Sequence, residues 1–167
     1  KYIDKELQFY QPSHIFVVPL ILKSFLDKIN LISVKNNYVE EEERSYVKSY
    51  FGGKLEMLVS GGAMLEKEVV HQWERYQIKL LRGYGITECS PIVAVTSPNV
   101  QYDSMSVGTP ISCNNIRVIQ GEIQVNGENV MHGYWKNKSG TMETMDGAWF
   151  KTGDLGYLSK EGHLYIT

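Results

Sequence analysis

The sequence predicts an α/β fold: a parallel βαβ portion followed by a small antiparallel β-sheet or barrel. Two observations lead there. Between residues 54 and 84 the pattern runs strand, glycine loop, amphipathic helix, strand, glycine loop. From Ile111 onward helical periodicity disappears, and short apolar pieces punctuated by Gly, Asn and Asp replace it. The change of texture divides the chain into expected parts 1–103 and 104–167.

Bulk properties limit the partners. A chain of 167 residues is long enough for one domain or two small ones with a real core. A net charge of −2 offers no electrostatic case for nucleic acid or an anionic membrane. No apolar run approaches the roughly 18 residues of a transmembrane segment. The start, Lys1-Tyr2-Ile3-Asp4-Lys5, has neither an initiating Met nor a signal-peptide pattern, which reads as a piece of a longer chain. Cys89 and Cys113 lack metal spacing and read as reduced thiols of a cytoplasmic protein. The scattered His14, His71, His132 and His163 suggest neither a metal cluster nor a triad.

Residues 1–11 are mixed and read as part of an element whose beginning is missing. Ile15-Phe16-Val17-Val18, closed by Pro19, reads as a buried strand. Leu22, Phe25, Leu26 and Ile29 then recur at helical spacing, with Lys23, Asp27 and Lys28 on the opposite side. The glutamate run 40–43 would turn around a helix into water, so it reads as a solvated surface rather than an acid–base pair. Leu55, Met57, Leu58 and Val59 form the next strand, and Gly61 and Gly62 follow. A helix with Leu65, Val69, Trp73 and Tyr76 on one face leads to the strand at 78–81. A right-handed crossover would make these two strands parallel and bring both glycine loops to one carboxyl edge, where open α/β sheets bind ligands.

The second loop, Arg82-Gly83-Tyr84-Gly85-Ile86-Thr87-Glu88, carries chemistry. Gly83 and Gly85 would free its backbone for a tight turn. An aromatic face, a hydroxyl and a carboxylate suit a purine, a phosphate oxygen and a divalent cation in turn. The same residues would also make a plain glycine turn with Tyr84 filling core. Further on, Asp154 lies between Gly153 and Leu155-Gly156, in a turn that could present its carboxylate to two vicinal ribose hydroxyls. An ordinary Gly-Asp turn is the alternative. Residues 156–167 read as a hairpin with Lys160-Glu161-Gly162-His163 at its tip.

Tyr84-Gly85-Ile86-Thr87-Glu88 resembles the YGxTE signature of the acyl-adenylate-forming, or AMP-binding, superfamily. Ser60-Gly61-Gly62-Ala63 resembles its SGGA loop, and Val107-Gly108-Thr109-Pro110 its VGxP turn. Gly121-Glu122-Ile123-Gln124-Val125, Gly133-Tyr134-Trp135 and Thr152-Gly153-Asp154-Leu155-Gly156 resemble the family's GEI, GYW and TGDLG stretches in the family's order. One departure stands out: Gln120 alone separates Ile119 from Gly121, where the family usually has a longer hairpin.

The resemblance implies a fragment of the large N-terminal domain of an ATP-dependent, AMP-forming acid–thiol ligase, ending before the hinge to a C-terminal lid. Gly61, Gly62 and Ala63 would lie against adenine and acyl-adenylate, and Tyr84 would stack on the base. Thr87 would bond the α-phosphate, Glu88 would hold Mg²⁺, and Asp154 would take the ribose hydroxyls. Gly83 and Gly85 would leave room beside the acyl carbonyl. ATP/AMP and Mg²⁺ are the implied cofactors, CoA the co-substrate, and a carboxylic acid the substrate. The strand–Val-Pro–helix segment, SGGA and TGDLG lean toward a long-chain fatty-acyl-CoA synthetase, which leaves room for peripheral membrane contact in the parent. The alternatives are an acyl- or aminoacyl-carrier-protein ligase and a non-catalytic nucleotide-binding module. The family's phosphate loop and lid lysine have no counterpart in this sequence, so the isolated chain is expected to be inactive.

Overall fold

The structure is a computed structural model that describes residues 3–62, 65–100 and 102–167. The chain forms two compact units, Lys1–Leu81 and Arg82–Thr167. This division falls earlier than the change of texture near 104, because the segment after residue 82 pairs with the end of the strand that leads into it. Periodicity registers which element type a stretch forms, whereas compactness registers which partners it finds.

In the first unit, helix α1 (Ile3–Tyr10) precedes strand β1 (His14–Val17), helix α2 (Pro19–Asn36) and helix α3 (Glu40–Tyr50). Strand β2 (Met57–Ser60), helix α4 (Lys67–Arg75) and strand β3 (Lys79–Tyr84) follow. β1 pairs with β2 in parallel, His14 to Met57 through Val17 to Ser60, and β3 is the next strand beside β2. Pro19 opens α2, where its missing N–H costs nothing. The helix buries Leu22, Phe25, Leu26 and Ile29, the face expected from their spacing. α4 contributes Val69, Val70 and Trp73, flanked by buried Leu65 and Tyr76. Phe25, Tyr50, Phe51 and Trp73 meet edge to face or tilted, with ring centroids 5.0–6.0 Å apart.

The glutamate run forms the first turn of α3, at the positive end of its dipole, and Glu42 accepts the N–H of Val39. Glu43 is the exception to the solvated reading: its carboxylate accepts from Arg75 and from the Tyr76 hydroxyl, at 3.3 and 3.2 Å. Strand β1 also departs from expectation. It is the first strand of the sheet, half-exposed along its length, and Phe16 is 79% exposed.

In the second unit, the last residues of β3 pair antiparallel with β4 (Ala94–Val95), and β4 pairs with β5 (Thr109–Pro110). Next come β6 (Asn114–Ile119), β7 (Glu122–Gly127), helix α5 (Lys138–Thr144), β8 (Met145–Asp146), β9 (Trp149–Leu158) and β10 (Leu164–Ile166). The order β10-β9-β7-β6, with β8 on β9, is antiparallel throughout, as the sequence texture predicts. Ile123, Val125, Phe150 and Leu164 form its core with Cys89, Val93 and Ala94. Helix α5 was not expected. None of its residues is buried, so it has no apolar stripe to read; Asn137 caps it by accepting the N–H of Gly140 at 3.0 Å.

The shortened hairpin resolves into a two-residue turn. Gln120 and Gly121 both take positive φ, 52° and 86°, and Ile119 pairs directly with Glu122. That geometry matches the twist of the flanking strands. Among the described residues, no helix is long and apolar enough to cross a membrane.

Candidate functional site

Strand β3 delivers Tyr84 to the start of the second loop. Thr87, Glu88 and Cys89 then form a short 3₁₀ turn, ended by Ser90 in a left-handed conformation. Neither Gly83 nor Gly85 has positive φ among the described residues. Gly83 pairs with Val95 as ordinary strand. Gly85 is needed for a different reason: a Cβ there would lie 1.8 Å from the Pro91 carbonyl oxygen. The loop folds back on its own backbone, and the Val93 N–H donates to the Tyr84 carbonyl at 2.8 Å.

Asp154 lies within the long strand β9 rather than in a connecting turn. Pairing with β7 slips there, from Leu155 opposite Glu122 to Lys151 opposite Gln124. Gly153 supplies the positive φ, 77°, that the bulge requires. The Glu122 carboxylate accepts the Gly153 N–H at 3.1 Å. Thr152 Oγ1 donates to the Ile123 carbonyl at 2.7 Å and accepts the Asp154 N–H at 3.1 Å. A bulge held at several points aims the half-buried Asp154 side chain, and it accepts the Tyr84 hydroxyl at 2.6 Å.

That bond joins two motifs that are far apart in sequence. It also affects the phenol: burial, and then the Asp154 carboxylate, push Tyr84 well above the usual tyrosine range. Glu88 is held in a similar way. The Tyr134 hydroxyl donates to Glu88 Oε1 at 2.8 Å, and the Met131 N–H donates to the Glu88 carbonyl at 2.7 Å. The bond to Glu88, with burial second, raises the Tyr134 phenol. Cys89 is fully buried, and burial followed by the neighbouring Glu88 pushes its thiol up to about 11.

Glu88 and Asp154 line one open cavity of about 420 Å³, together with Ile86, Tyr134, Lys151 and Thr152. Glu122 and Glu143 add two further carboxylates, leaving Lys151 as the cation among the lining residues. Thr87 is exposed. Gly61 and Gly62 follow β2 in the first unit, Gly62 with φ of 87°, and Ala63 lies outside the described residues. In the sequence, Tyr134, Glu122 and Thr152 stand only as members of stretches that resemble the family's, with no role of their own. The tyrosine beside the glycine in Gly133-Tyr134-Trp135 was the available signal.

Among the described residues, no group of three or more His, Cys, Asp or Glu could hold a metal ion. A single carboxylate does suit Mg²⁺, which takes one or two protein carboxylates and fills its octahedron with water and substrate phosphate oxygens. Glu88, bonded by Tyr134 at one oxygen, fits that role.

Comparison with known proteins gives a consistent result. A long-chain-fatty-acid–CoA ligase of Mycobacterium bovis is 36% identical over 125 residues, covering 72% of this chain and 20% of the relative. One from Yersinia pestis is 34% identical over 124 residues, covering 67% and 22%. The chain thus spans about a fifth of the length of these curated relatives. Among solved structures, the unliganded O-succinylbenzoate coenzyme A synthetase of Bacillus subtilis matches 99% of this chain and 33% of its own, with a TM-score of 0.77 at 24% identity. The same enzyme in complex with ATP and a magnesium ion matches with a TM-score of 0.76. These likenesses show the fold. The AMP-binding enzyme family matches residues 3–135, and the chain belongs to that family.

Proposed function

We propose that this chain is the nucleotide-holding part of an AMP-forming acid–CoA ligase whose substrate is a long-chain fatty acid. The 2.6 Å bond from Tyr84 to Asp154, which lines the same cavity as Glu88, carries the reading. The names of the curated relatives support the choice of acid and acceptor.

In this reading Asp154 accepts the ribose 2′- and 3′-hydroxyls, and its bulge fixes where they sit. Tyr84 presents its ring to adenine while its hydroxyl restrains Asp154. Gly85 keeps the loop backbone close, since a Cβ there would meet the Pro91 carbonyl. Thr87, exposed at the start of the short turn, bonds the α-phosphate. Glu88 holds Mg²⁺, which neutralises phosphate charge when bound. The reaction is attack of a carboxylate on the α-phosphorus with loss of pyrophosphate, then displacement of AMP by the CoA thiol. This chain's residues contribute by positioning nucleotide and by charge, which is where phosphoryl and adenylyl transfer gain most.

The test is Asp154→Asn in the full-length parent, assayed with ATP and 2′-deoxy-ATP. Charge-assisted hydrogen bonds contribute roughly 1.5–3 kcal/mol, so the KM for ATP should rise at least about tenfold. The parent should discriminate strongly against 2′-deoxy-ATP and the variant much less. Equal discrimination by both proteins would remove Asp154 from ribose recognition.

A further inference from the structure

We propose that Tyr134 is a positioning residue for Glu88: its hydroxyl sets the orientation of the carboxylate that faces the metal-bearing phosphates. The inference rests on the reading of Glu88 given above and adds a residue to it.

Three observations carry it. Among the described residues, Tyr134 is the one side chain bonded to the Glu88 carboxylate, at 2.8 Å. The same segment holds the Glu88 main chain, through the Met131 N–H at 2.7 Å, so one stretch fixes both ends of the residue. Tyr134 itself rests on a built support. Its N–H donates to Thr141 Oγ1 at 2.9 Å, and that hydroxyl donates to the Asn137 carbonyl at 2.9 Å. Gly133 makes room for the arrangement, since a Cβ there would lie 2.8 Å from Thr141 Cγ2.

The chemistry favours a phenol. A carboxylate has about four lone-pair directions, and a donor on one oxygen leaves the other free to face a cation. A neutral donor restrains without adding positive charge, whereas lysine or arginine would compete with the metal for the same electrons. Residues of this kind behind a metal ligand typically contribute 10–100-fold in metal affinity.

The experiment uses the full-length parent with Tyr134→Phe, Glu88→Gln and the double variant. Mn²⁺ binding in the presence of ATP is followed by electron paramagnetic resonance, without carboxylic acid and therefore without turnover. Tyr134→Phe should weaken Mn²⁺ binding about tenfold. Pyrophosphate exchange should return to within about twofold of the parental rate at saturating Mg²⁺, since the ligand itself remains. In the Glu88→Gln background, Tyr134→Phe should add nothing. If Glu88→Gln leaves Mn²⁺ affinity unchanged, the reading of Glu88 falls and takes this inference with it. If Glu88→Gln weakens binding and Tyr134→Phe does not, the positioning role alone is overturned. A Tyr134→Phe effect that persists undiminished in the Glu88→Gln background would also overturn it, by showing a general effect on the fold.

Discussion

Removing the Tyr84 hydroxyl is the most direct probe of the link between the two motifs. Tyr84→Phe keeps the ring, which packs against the second core, and deletes only the donor to Asp154. A hydrogen bond to a charged acceptor contributes roughly 1.5–3 kcal/mol, but the half-buried Asp154 can recover water once the hydroxyl is gone. The expected net cost is therefore at the lower end, about 1–1.5 kcal/mol. For a unit of this size that corresponds to a fall in Tm of about 4–12 °C. The pH dependence has a definite sign. Because the folded phenol is raised, the folded state keeps its proton where the unfolded chain has lost it. Tyr84's contribution is intact below the ordinary phenol value near 10 and is lost as pH climbs through the folded one. The Phe variant should accordingly lose less stability than the parent chain between about pH 10 and 11.5. Urea unfolding of Tyr84→Phe, Asp154→Asn and the double variant, followed by tryptophan fluorescence to which Trp149 on β9 contributes, gives the coupling energy. A value near 1 kcal/mol or above is expected, and one below about 0.3 kcal/mol would refute the argument.

Other perturbations test neighbouring parts of the structure. Gly85→Ala should destabilise the chain by about 1–3 kcal/mol or more, because its Cβ meets the Pro91 carbonyl backbone; a variant as stable as the parent in urea would show that the loop yields freely. At pH 8, a thiol reagent should modify the partly exposed Cys113 quickly and leave Cys89 unreacted until the fold opens, since the Cys89 thiol is buried and raised to about 11. Two thiols reacting at one rate would contradict that burial. In the first unit, Lys28 and then the Tyr50 hydroxyl hold the Asp4 carboxyl below its usual range. Its stabilisation is present above the ordinary carboxylate value and is lost as pH falls through the lowered one. Asp4→Asn should thus cost about 0.5–1 kcal/mol at neutral pH, with the difference shrinking toward pH 2. A constant difference across that range, measured by thermal melts, would count against the pairing.

The fold was legible wherever burial follows a simple period. Leu22, Phe25, Leu26 and Ile29 mark the inner face of α2, and Ile123 and Val125 mark the inner face of β7. Helix α5 escaped because it buries nothing, and the exposure of Phe16 depends on where β1 stands in the sheet. Tyr84, Glu88 and Asp154 stand out in the sequence because they lie in stretches that resemble the family's motifs. Their supports do not: Tyr134, Glu122 and Thr152 act through contacts between segments far apart in sequence, which a motif such as Gly133-Tyr134-Trp135 marks without naming the partner. Gly85 was singled out for backbone freedom, but what requires it is the Pro91 carbonyl beside it.

Two of the four carboxylates that line the cavity, Glu88 and Asp154, are tethered by phenols, and this makes the tethers electrically silent. Tyr84 and Tyr134 titrate above the ordinary tyrosine range, so each remains a neutral donor throughout the pH range in which cells live. A histidine in either place would gain and lose charge near neutrality, shifting both the aim of its partner and the local field in the cavity. With phenols, neither tether changes its own charge across that range.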